Sequence, residues 1–598
     1  MKKSIIALTL ISMLSACTFD GSDGSNGANG ATGEQGLQGN TGNNGLDGKD
    51  ASQLLNISLI GRSQLNAESP EGAAEIVAYH KNSQKIYAIN SSGDKAIVEI
   101  LSTQDLDAAS LEKDSEGTVN NTNMSILHTI DLSVNTAGDA NSIAISDSDH
   151  LLAVAMAGDT GVMGHIAFYD ISADLPQFIK NVQVGYLPDM VAFSPNGKKV
   201  VVANEGEPMG DYSIDPEGSI SVIDIDSGMP KDSAFSIDLK SLNNQQAQLA
   251  AQGVIFSNPK GRTINGKLIQ TSVAMDLEPE YVAISDDSSK AFITLQENNA
   301  MITVNLEDNS MSIKGLGFKD WSNLDFDASD KDGGINFKKY PGLKGMYQPD
   351  SVASFTWQGA DFVVTANEGD GREYFFDADN EAACLTAGGL DYDEDDGCLA
   401  YTNEIRAEDL NLGANFDYLN NDDNDIGRLK VSSEMGDINN DGEFDELYTF
   451  GGRSFTIWDS NGLVVFDSGD MVDRITASIH GEAFNNDEDE NKGDTRSDAK
   501  GAEPEALAIG EIGERKFAFV GLERMAGIMI FDITNPYNTQ FVDYFINRGT
   551  SEGAQITGDL APEGMKFVSA QDSATDEALL IVGNEISGTV AVWQISEK

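Results

Sequence analysis

One short pattern recurs along this chain and constrains its fold more than any other feature. Each copy has an acidic start, a strand of small apolar residues, a Gly/Asn/Asp turn, and a second strand that ends in Asn-Glu or a related pair. The clearest copy runs from Pro188 to Glu205. The seven copies start at Glu75, Asn141, Pro188, Glu278, Gln348, Glu503 and Ala561. Repeats built from short strands are typical of β-propellers, in which each copy is one blade. The sequence therefore predicts an all-β, seven-bladed β-propeller.

The pattern also places acidic residues at two fixed positions of a copy. The innermost strand of a propeller blade follows the central channel and the next strand returns, so both positions lie at one mouth of the channel. Crowded like charges raise one another's pKa unless a counter-charge is present, and hard divalent cations with oxygen ligands supply such a charge. The alternative is that each acid caps a turn or faces solvent. The acids predicted at this mouth are Asp189, Glu205, Glu207, Glu278, Glu280, Glu297, Asp350, Glu368, Asp370, Glu503, Glu505, Glu523, Glu563 and Glu585.

The composition narrows the class of partner. The chain has 598 residues and a formal net charge of −59. Proteins that bind nucleic acids do so through Lys and Arg, so no nucleic-acid partner is expected. A strongly acidic surface is typical of secreted or surface proteins that meet salt and divalent ions, although charge bears on solubility and association and not on the fold.

The first residues read as a bacterial secretion signal. A basic start, Met1–Lys3, precedes a short apolar segment and then Leu14-Ser15-Ala16-Cys17. This order resembles a lipobox, in which residues 1–16 are removed and Cys17 becomes lipidated. Thr18 follows, not Asp, which favours the outer membrane. We therefore predict an outer membrane lipoprotein, facing the periplasm or the cell surface, whose lipid is its membrane contact.

A collagen-like segment follows the lipidation site. Residues 21–50 form ten consecutive Gly-X-Y triplets, the period of the collagen triple helix. They contain no proline, so a triple helix would have little stability of its own. Residues 17–50 are predicted to be either a short trimerising stalk or a hydrated tether, and the propeller is expected to occupy residues 51–598.

Two insertions interrupt the repeats, at about residues 368–427 and 485–500. Both are polar, and long loops on a rigid scaffold often carry function, although they can equally be solvated surface. Cys384 and Cys398 lie in the first insertion. An isolated pair of cysteines in an oxidising compartment most often forms a disulfide, and we predict one here.

A D-x-N-x-D-G-x-x-D motif between two strands is the most specific local signal. Oxygen side chains at alternate positions, with a glycine at the bend, are what a Ca²⁺ loop requires. Position 12 is Tyr448, within a strand predicted from Leu447 to Phe450, so the loop is predicted to be a hairpin calcium loop and not an EF-hand. This hairpin is predicted to belong to the fifth blade, whose copy starts at Gln348. Its predicted ligands are Asp437, Asn439, Asp441, Glu443 and Asp445. Further metal ligands are predicted at the channel mouth, namely Glu205, Glu207, Glu280, Asp350, Glu368, Asp370, Glu503, Glu505, Glu563 and Glu585.

Several longer motifs point to a known family. They are Ala203–Pro208, Ala366–Asp370 with Arg372 and Tyr374, Arg496–Asp498 with Lys500 and Gly501, Glu503–Glu505, and Gly521–Arg524. Through them, residues 54–598 resemble the choice-of-anchor I family. That family groups bacterial surface propellers, some called alkaline phosphatases, with the mesenchyme-specific cell-surface glycoproteins of biomineralising animals. The resemblance implies a β-propeller fold, and it implies little about catalysis.

Two functions agree with these features. The first is a lipid-anchored, calcium-binding propeller at the cell surface, with an adhesive or structural role and an extracellular polymer or mineral as its partner. The alternative is a Ca²⁺-dependent phosphoester hydrolase, similar to propeller phytases, in which carboxylate-bound Ca²⁺ would hold phosphate and activate water. Its arginines would clamp phosphate, unless each pairs with a neighbouring acid. The candidate catalytic residues are Glu368, Arg372, Glu505, Glu523 and Arg524.

Overall fold

The computed structural model describes residues 55–67, 69–93 and 95–598, and their regular secondary structure is mostly β-strand. The predicted signal peptide, the lipidated Cys17 and the Gly-X-Y segment lie outside the described residues. Within the described part of the chain, none of the helices combines the length and the apolar character needed to cross a membrane.

Seven antiparallel sheets, six of four strands and one of five, contain most of the strands of the described chain, and we number them 1 to 7. Sheets 1 and 2 consist of Ala73–His80, Lys85–Asn90, Ile97–Ser102 and Ile126–Asp131, and of Asp139–Ser146, Leu151–Ala157, Met163–Asp170 and Gln177–Tyr186. Sheets 3 and 4 consist of Pro188–Phe193, Lys199–Asn204, Ser219–Asp226 and Phe235–Asp238, with Met229–Pro230 added, and of Val282–Ile284, Lys290–Leu295, Ala300–Asn305 and Met311–Gly315. Sheets 5 and 6 consist of Val352–Trp357, Ala360–Asn367, Ser454–Asp459 and Val464–Asp467, and of Pro504–Ile512, Arg515–Leu522, Gly527–Asp532 and Gln540–Ile546. Sheet 7 consists of Pro562–Val568, Ala578–Asn584, Thr589–Glu597 and Leu55–Gln64.

The seven sheets close into a ring. The first strand of each contacts the first strands of the sheets before and after it, and sheet 7 contacts sheet 1. A separate apolar cluster fills each junction between neighbouring sheets. Because neighbouring sheets cover both faces of the middle strands, segments such as Leu151–Ala157 are apolar and buried along their whole length. A closed ring of radially packed antiparallel sheets is a β-propeller.

The ring is closed by strands from both ends of the described chain. Leu55–Gln64 pairs antiparallel with Thr589–Glu597 as the outer strand of sheet 7. This pairing joins residues that are more than 500 positions apart in sequence, and no local pattern in the chain announces it.

Further elements lie between the strands of the ring. The helices are Gln246–Ala250, Val273–Asp276, Glu381–Ala387 and Met471–His480, and short 3-10 turns span Ala108–Ser110, Leu132–Val134, Lys240–Leu242, Ala407–Asp409, Ala414–Phe416, Gly481–Ala483 and Pro536–Asn538. Three further sheets have two, three and five short strands. They consist of Thr263–Ile264 with Lys267–Leu268, of Glu373–Phe376, Gly397–Thr402 and Asp391–Asp393, and of Phe318–Asp320, Leu343–Met346, Leu447–Thr449, Lys430–Ser432 and Glu404–Arg406.

The elaborated fifth copy differs from the sequence expectation in one respect. Leu447–Thr449 was expected in the fifth blade, but it pairs in parallel with Leu343–Met346 in the five-stranded sheet outside the ring. One strand of this pair, Leu343–Met346, therefore comes from the segment between sheets 4 and 5. The sequence pattern could not show it, because the two strands lie about a hundred residues apart.

Candidate functional site

The acids at the start of the innermost strands sit in an unusual backbone arrangement. In four copies the residue before the proline has a positive φ, at Leu187 (46°), Gln348 (41°), Glu503 (55°) and Ala561 (57°). In three of these copies the pairing register then skips, between Pro188 and Val191, Pro504 and Leu507, and Pro562 and Met565. A positive φ costs a residue other than glycine about 1–2 kcal/mol, and a bulge redirects the side chain within it. The bulged residues include Asp189, Glu505 and Glu563.

The acids that end the second strands are held beside the first set. The backbone N–H of Glu205 donates to the Leu187 carbonyl at 2.9 Å. Glu523 and Glu585 donate in the same way to the carbonyls of Glu503 and Ala561, each at 2.8 Å. One hydrogen bond per sheet thus places both acidic positions at the same end of that sheet.

Carboxylates from several sheets line one cavity of about 210 Å³. We call it the acidic cavity. Its acids are Glu75, Asp189, Glu205, Glu280, Glu297, Asp350 and Glu563, and its other lining residues are Ile76, Asn141, Ser142, Met190, Tyr281 and Gln296. The described residues that line it include no Lys or Arg. Glu75 was not among the predicted ligands, although it opens a copy of the repeat just as Asp189 does.

Burial and mutual repulsion raise the pKa values of these acids. Burial, then Glu585 and Asp189, raises the pKa of Glu75 to about 8. Burial, then Glu297 and Glu207, raises the pKa of Asp189 to about 7. Burial is also the main cause that holds the pKa well above its ordinary value at Glu205, Glu280, Asp350 and Glu563. The acidic cavity therefore favours either protons or a bound cation.

Several oxygens at this mouth have no partner among the described residues. Glu280 is only 8% exposed, and its Oε1 accepts no hydrogen bond, whereas its Oε2 accepts from the backbone N–H of Gln296 at 3.1 Å. Glu297 Oε2 and Glu505 Oε2 are likewise buried and unpartnered. An unpaired buried carboxylate oxygen is costly. Unpartnered oxygens among oxygen-only side chains fit a hard cation such as Ca²⁺.

A neighbouring group of acids, joined to the acidic cavity by the hydrogen bond from Gln296 to Glu368, carries its own cations. We call Glu368, Glu503 and Glu523, with Lys500, Arg496 and Arg524, the paired cluster. Glu503 is buried and contacts all three cations, with Arg496 Nη2 at 2.6 Å, Arg524 Nε at 2.9 Å and Lys500 Nζ at 3.5 Å. Burial alone would raise the pKa of Glu503, but these charges outweigh it and hold the pKa well below its ordinary value. Lys500 and Arg496 come from the second insertion, so part of this segment serves the mouth.

Both arginines proposed as phosphate clamps have acidic partners. Arg372 is buried, and its two terminal nitrogens bond the carboxylates of Asp276 and Glu278. Arg524 bonds Glu488 and Glu503, and its Nη2 lies 3.2 Å from Glu523 Oε1. A catalytic role for either arginine stays a prediction, and it would require one of these ion pairs to open.

The remaining predicted acids lie close to these groups. Burial, then Glu297, raises the pKa of Glu207 to about 7, while Arg372 lowers it. Asp370 Oδ1 lies 3.4 Å from Lys500 Nζ. Burial, then the nearby charges of Glu523 and Glu368, holds the pKa of Glu505 well above its ordinary value. Burial, then Glu71, raises the pKa of Glu585.

The predicted calcium loop lies away from the ring, between Lys430–Ser432 and Leu447–Thr449 of the five-stranded sheet. Asp437 closes it, because its two carboxylate oxygens accept the N–H groups of Asp441 at 3.0 Å and Gly442 at 2.9 Å. The Asn439 amide lies 3.4 Å from Asp445 Oδ2, and Asp441 and Glu443 are exposed. The loop is folded back on its own backbone, and calcium binding there stays a prediction.

Cys384 and Cys398 form a disulfide across a Cα–Cα distance of 5.3 Å. The bond joins the helix Glu381–Ala387 to the strand Gly397–Thr402 within the first insertion. It fixes the acidic residues between the two cysteines to a small sheet.

These features define a β-propeller with an acidic channel mouth. The chain belongs to the choice-of-anchor I domain family, whose family model matches residues 75–536.

Curated relatives share limited stretches with this chain. It is 29% identical to Gigasin-3a of Magallana gigas over 185 residues, which is 28% of this chain and 64% of that protein. It is 29% identical to the Mesenchyme-specific cell surface glycoprotein of Strongylocentrotus purpuratus over 295 residues, which is 45% of this chain and 37% of that protein. The chain thus spans less than two thirds of the length of either relative. The β-propeller domain of Myceliophteria thermophila Cps50 (Swd1) aligns with a TM-score of 0.38 at 8% identity, over 91% of this chain and 100% of that one.

Proposed function

We propose that this protein is a surface β-propeller of seven blades, one for each of the sheets 1 to 7, that binds Ca²⁺ in the acidic cavity. The observation that carries the proposal is the buried, unpartnered Oε1 of Glu280 inside a cavity lined by seven carboxylates. A cation there would balance charges for which the lining residues supply no Lys or Arg.

Calcium suits this cavity better than softer or smaller ions. The acids come from several sheets and are joined by a glutamine, an asparagine and a serine. Ca²⁺ accepts six to eight oxygen ligands in irregular geometry, whereas Mg²⁺ demands a strict octahedron. The Asp437–Asp445 loop is a second proposed calcium site.

A binding or structural role fits this arrangement better than phosphoester hydrolysis. A phosphate needs free cationic groups or exposed metal edges, but Arg372 and Arg524 are both engaged by acids. The family and the cell-surface glycoprotein among the relatives also favour a surface role. We propose an extracellular polymer or mineral as the partner.

The anchor of this propeller is proposed from the sequence alone. Cys17 would carry the lipid in the outer membrane, on the periplasmic or the outer face, and residues 17–50 would hold the propeller away from the membrane as a stalk or tether. Trimer formation through the Gly-X-Y triplets would multiply weak contacts with a repetitive partner.

The direct test is to count bound Ca²⁺ on the full chain by equilibrium dialysis, and to follow thermal unfolding with Ca²⁺ and with chelator. We expect bound Ca²⁺ and a higher unfolding midpoint, because a ligand that binds only the folded state stabilises it. Absence of both would contradict the proposal. Turnover of phosphoesters that requires Ca²⁺ and is lost in Glu505→Ala would support the hydrolase instead.

A further inference from the structure

The three acids of the paired cluster have the geometry of a cation site. Among the described residues, one carboxylate oxygen each from Glu368, Glu503 and Glu523 lies within 4.8 Å of the other two. Ca²⁺ binds oxygens at 2.3–2.6 Å, so a single ion could contact all three. No three acids of the acidic cavity are brought this close in the described chain.

An ammonium group of the protein already sits among these acids. Lys500 Nζ lies 2.5 Å from Glu368 Oε1 and 3.5 Å from Glu503 Oε2, and its side chain is 13% exposed. Lys500 belongs to no strand or helix. The second insertion delivers it to the mouth, three residues before the acid that opens sheet 6.

The cluster would lose its charge balance without Lys500. Arg496 and Arg524 both bond Glu503, so Glu503 would remain compensated. Among the side chains of the described residues, Glu368 would keep only the amide of Gln296, at 2.8 Å, and Glu523 only Nη2 of Arg524, at 3.2 Å. The buried, unpartnered Oε2 of Glu505 adds a further oxygen beside Glu523 and Glu368.

We propose that the Lys500 ammonium is a built-in cation that fills a divalent-cation position formed by Glu368, Glu503 and Glu523. At the channel mouth it thereby confines exchangeable Ca²⁺ to the neighbouring acidic cavity. The confinement of Ca²⁺ to the acidic cavity rests on the proposed function, whereas the role of Lys500 in the paired cluster does not. Lys500 would thus determine how many divalent ions bind at the channel mouth and at which acids they bind.

The test compares Ca²⁺ bound per chain, by equilibrium dialysis, in the full-length protein and in Lys500→Met. Methionine keeps the length of the side chain and removes its charge. The matched control is Lys290→Met. Lys290 also pairs with an acid, since its Nζ lies 2.8 Å from Asp361 Oδ2. It lies at the start of the strand Lys290–Leu295, and the opposite end of that strand is the one at the channel mouth. We expect one additional Ca²⁺ in Lys500→Met and none in the control.

Adding Glu523→Gln to Lys500→Met should abolish the additional site, because the substitution removes one of its three carboxylates. An unchanged Ca²⁺ count in folded Lys500→Met would overturn the proposal. If Lys500→Met folds only when Ca²⁺ is present, the ion has replaced the ammonium, which supports it.

Glu523→Gln in the otherwise unchanged protein gives a test that does not depend on how Lys500→Met folds. Because Lys500 fills the position, the count of bound Ca²⁺ should not change, and a loss of one ion would overturn the proposal.

A Glu280→Gln variant separates the proposal that Ca²⁺ binds in the acidic cavity from the proposal that Lys500 fills a cation position in the paired cluster. If it retains every bound Ca²⁺, Glu280 does not contribute to a calcium site, and the result for Lys500 stands unaffected.

Discussion

The acidic cavity and the Asp437–Asp445 loop present the same chemical groups in opposite surroundings. In the cavity, acids from several sheets are brought together by the ring and are largely removed from water, and Glu280 keeps an unpartnered oxygen. In the loop, the acids are neighbours in sequence, Asp441 and Glu443 are exposed, and Asp437 bonds the loop's own N–H groups. Cation binding should therefore contribute far more to stability in the cavity than in the loop.

This contrast shows why a carboxylate motif alone does not measure the strength of a cation site. Water screens exposed charges, so a bound ion gains little there. Buried acids without a counter-charge destabilise the fold, and a bound cation both removes that cost and adds its own contacts. Three measurements test the difference.

The largest expected effect is a pH dependence of the calcium-free protein. Glu has an ordinary pKa of 4.5, and burial with neighbouring acids raises the pKa of Glu75 to about 8 and those of Asp189 and Glu207 to about 7. Stability due to the protonated acids is fully present below about pH 4 and is lost as the pH rises through 7 to 8. In chelator, the unfolding midpoint should fall by on the order of 10 °C between pH 5 and pH 8.

Saturating Ca²⁺ should largely abolish that fall, since the cation replaces the protons. The Asp437→Asn variant should show the same fall in chelator as the unmodified protein. A midpoint that is flat or rises between pH 5 and pH 8 without Ca²⁺ would contradict the cavity electrostatics.

Glu280→Gln should give the next largest effect, with opposite signs in the two conditions. Without Ca²⁺ the midpoint at pH 8 should rise, because a neutral amide replaces an acid whose charged form burial and neighbouring acids disfavour. With Ca²⁺ at a hundred times its dissociation constant, about 2.7 kcal/mol of stabilisation should be lost. Thermal unfolding with and without Ca²⁺ measures both.

The control is Glu511→Gln. Glu511 is exposed and lies on the innermost strand of sheet 6, Pro504–Ile512, near the end that is distant from the channel mouth. It should leave both midpoints unchanged. If Glu280→Gln retains the whole calcium-induced shift, Glu280 does not contribute to a calcium site.

Asp437→Asn should have the smallest effect. The substitution keeps one side-chain oxygen that accepts N–H bonds but removes a charged ligand from an exposed loop. We expect the calcium-induced rise of the midpoint to change by about 1 °C or less, while one weakly bound Ca²⁺ is lost in equilibrium dialysis. A loss of stability as large as that of Glu280→Gln would show that exposure does not set the strength of these sites.

Much of the fold was predictable because the repeat is local. The starts of the copies, such as Pro188 and Ala561, lie at or next to the innermost strands, and the Asn-Glu pairs end second strands as expected. The closing strand Leu55–Gln64 and the five-stranded sheet were not predictable, since their partners are distant in sequence. For the site, the repeat pointed to the acids, but Glu75 was missed because its copy lacks the Pro-acid pair.

The sequence by itself determined the repeated strands, the positions of the acids within each copy and the choice-of-anchor I resemblance, because each of these depends on residues close together in the chain. Only the tertiary structure decided which acids share the acidic cavity and which are balanced by Lys500, Arg496 and Arg524. Charge balance is a property of distances in space. The second insertion brings Lys500 to the channel mouth and changes the charge balance there, although the repeat itself is unaltered.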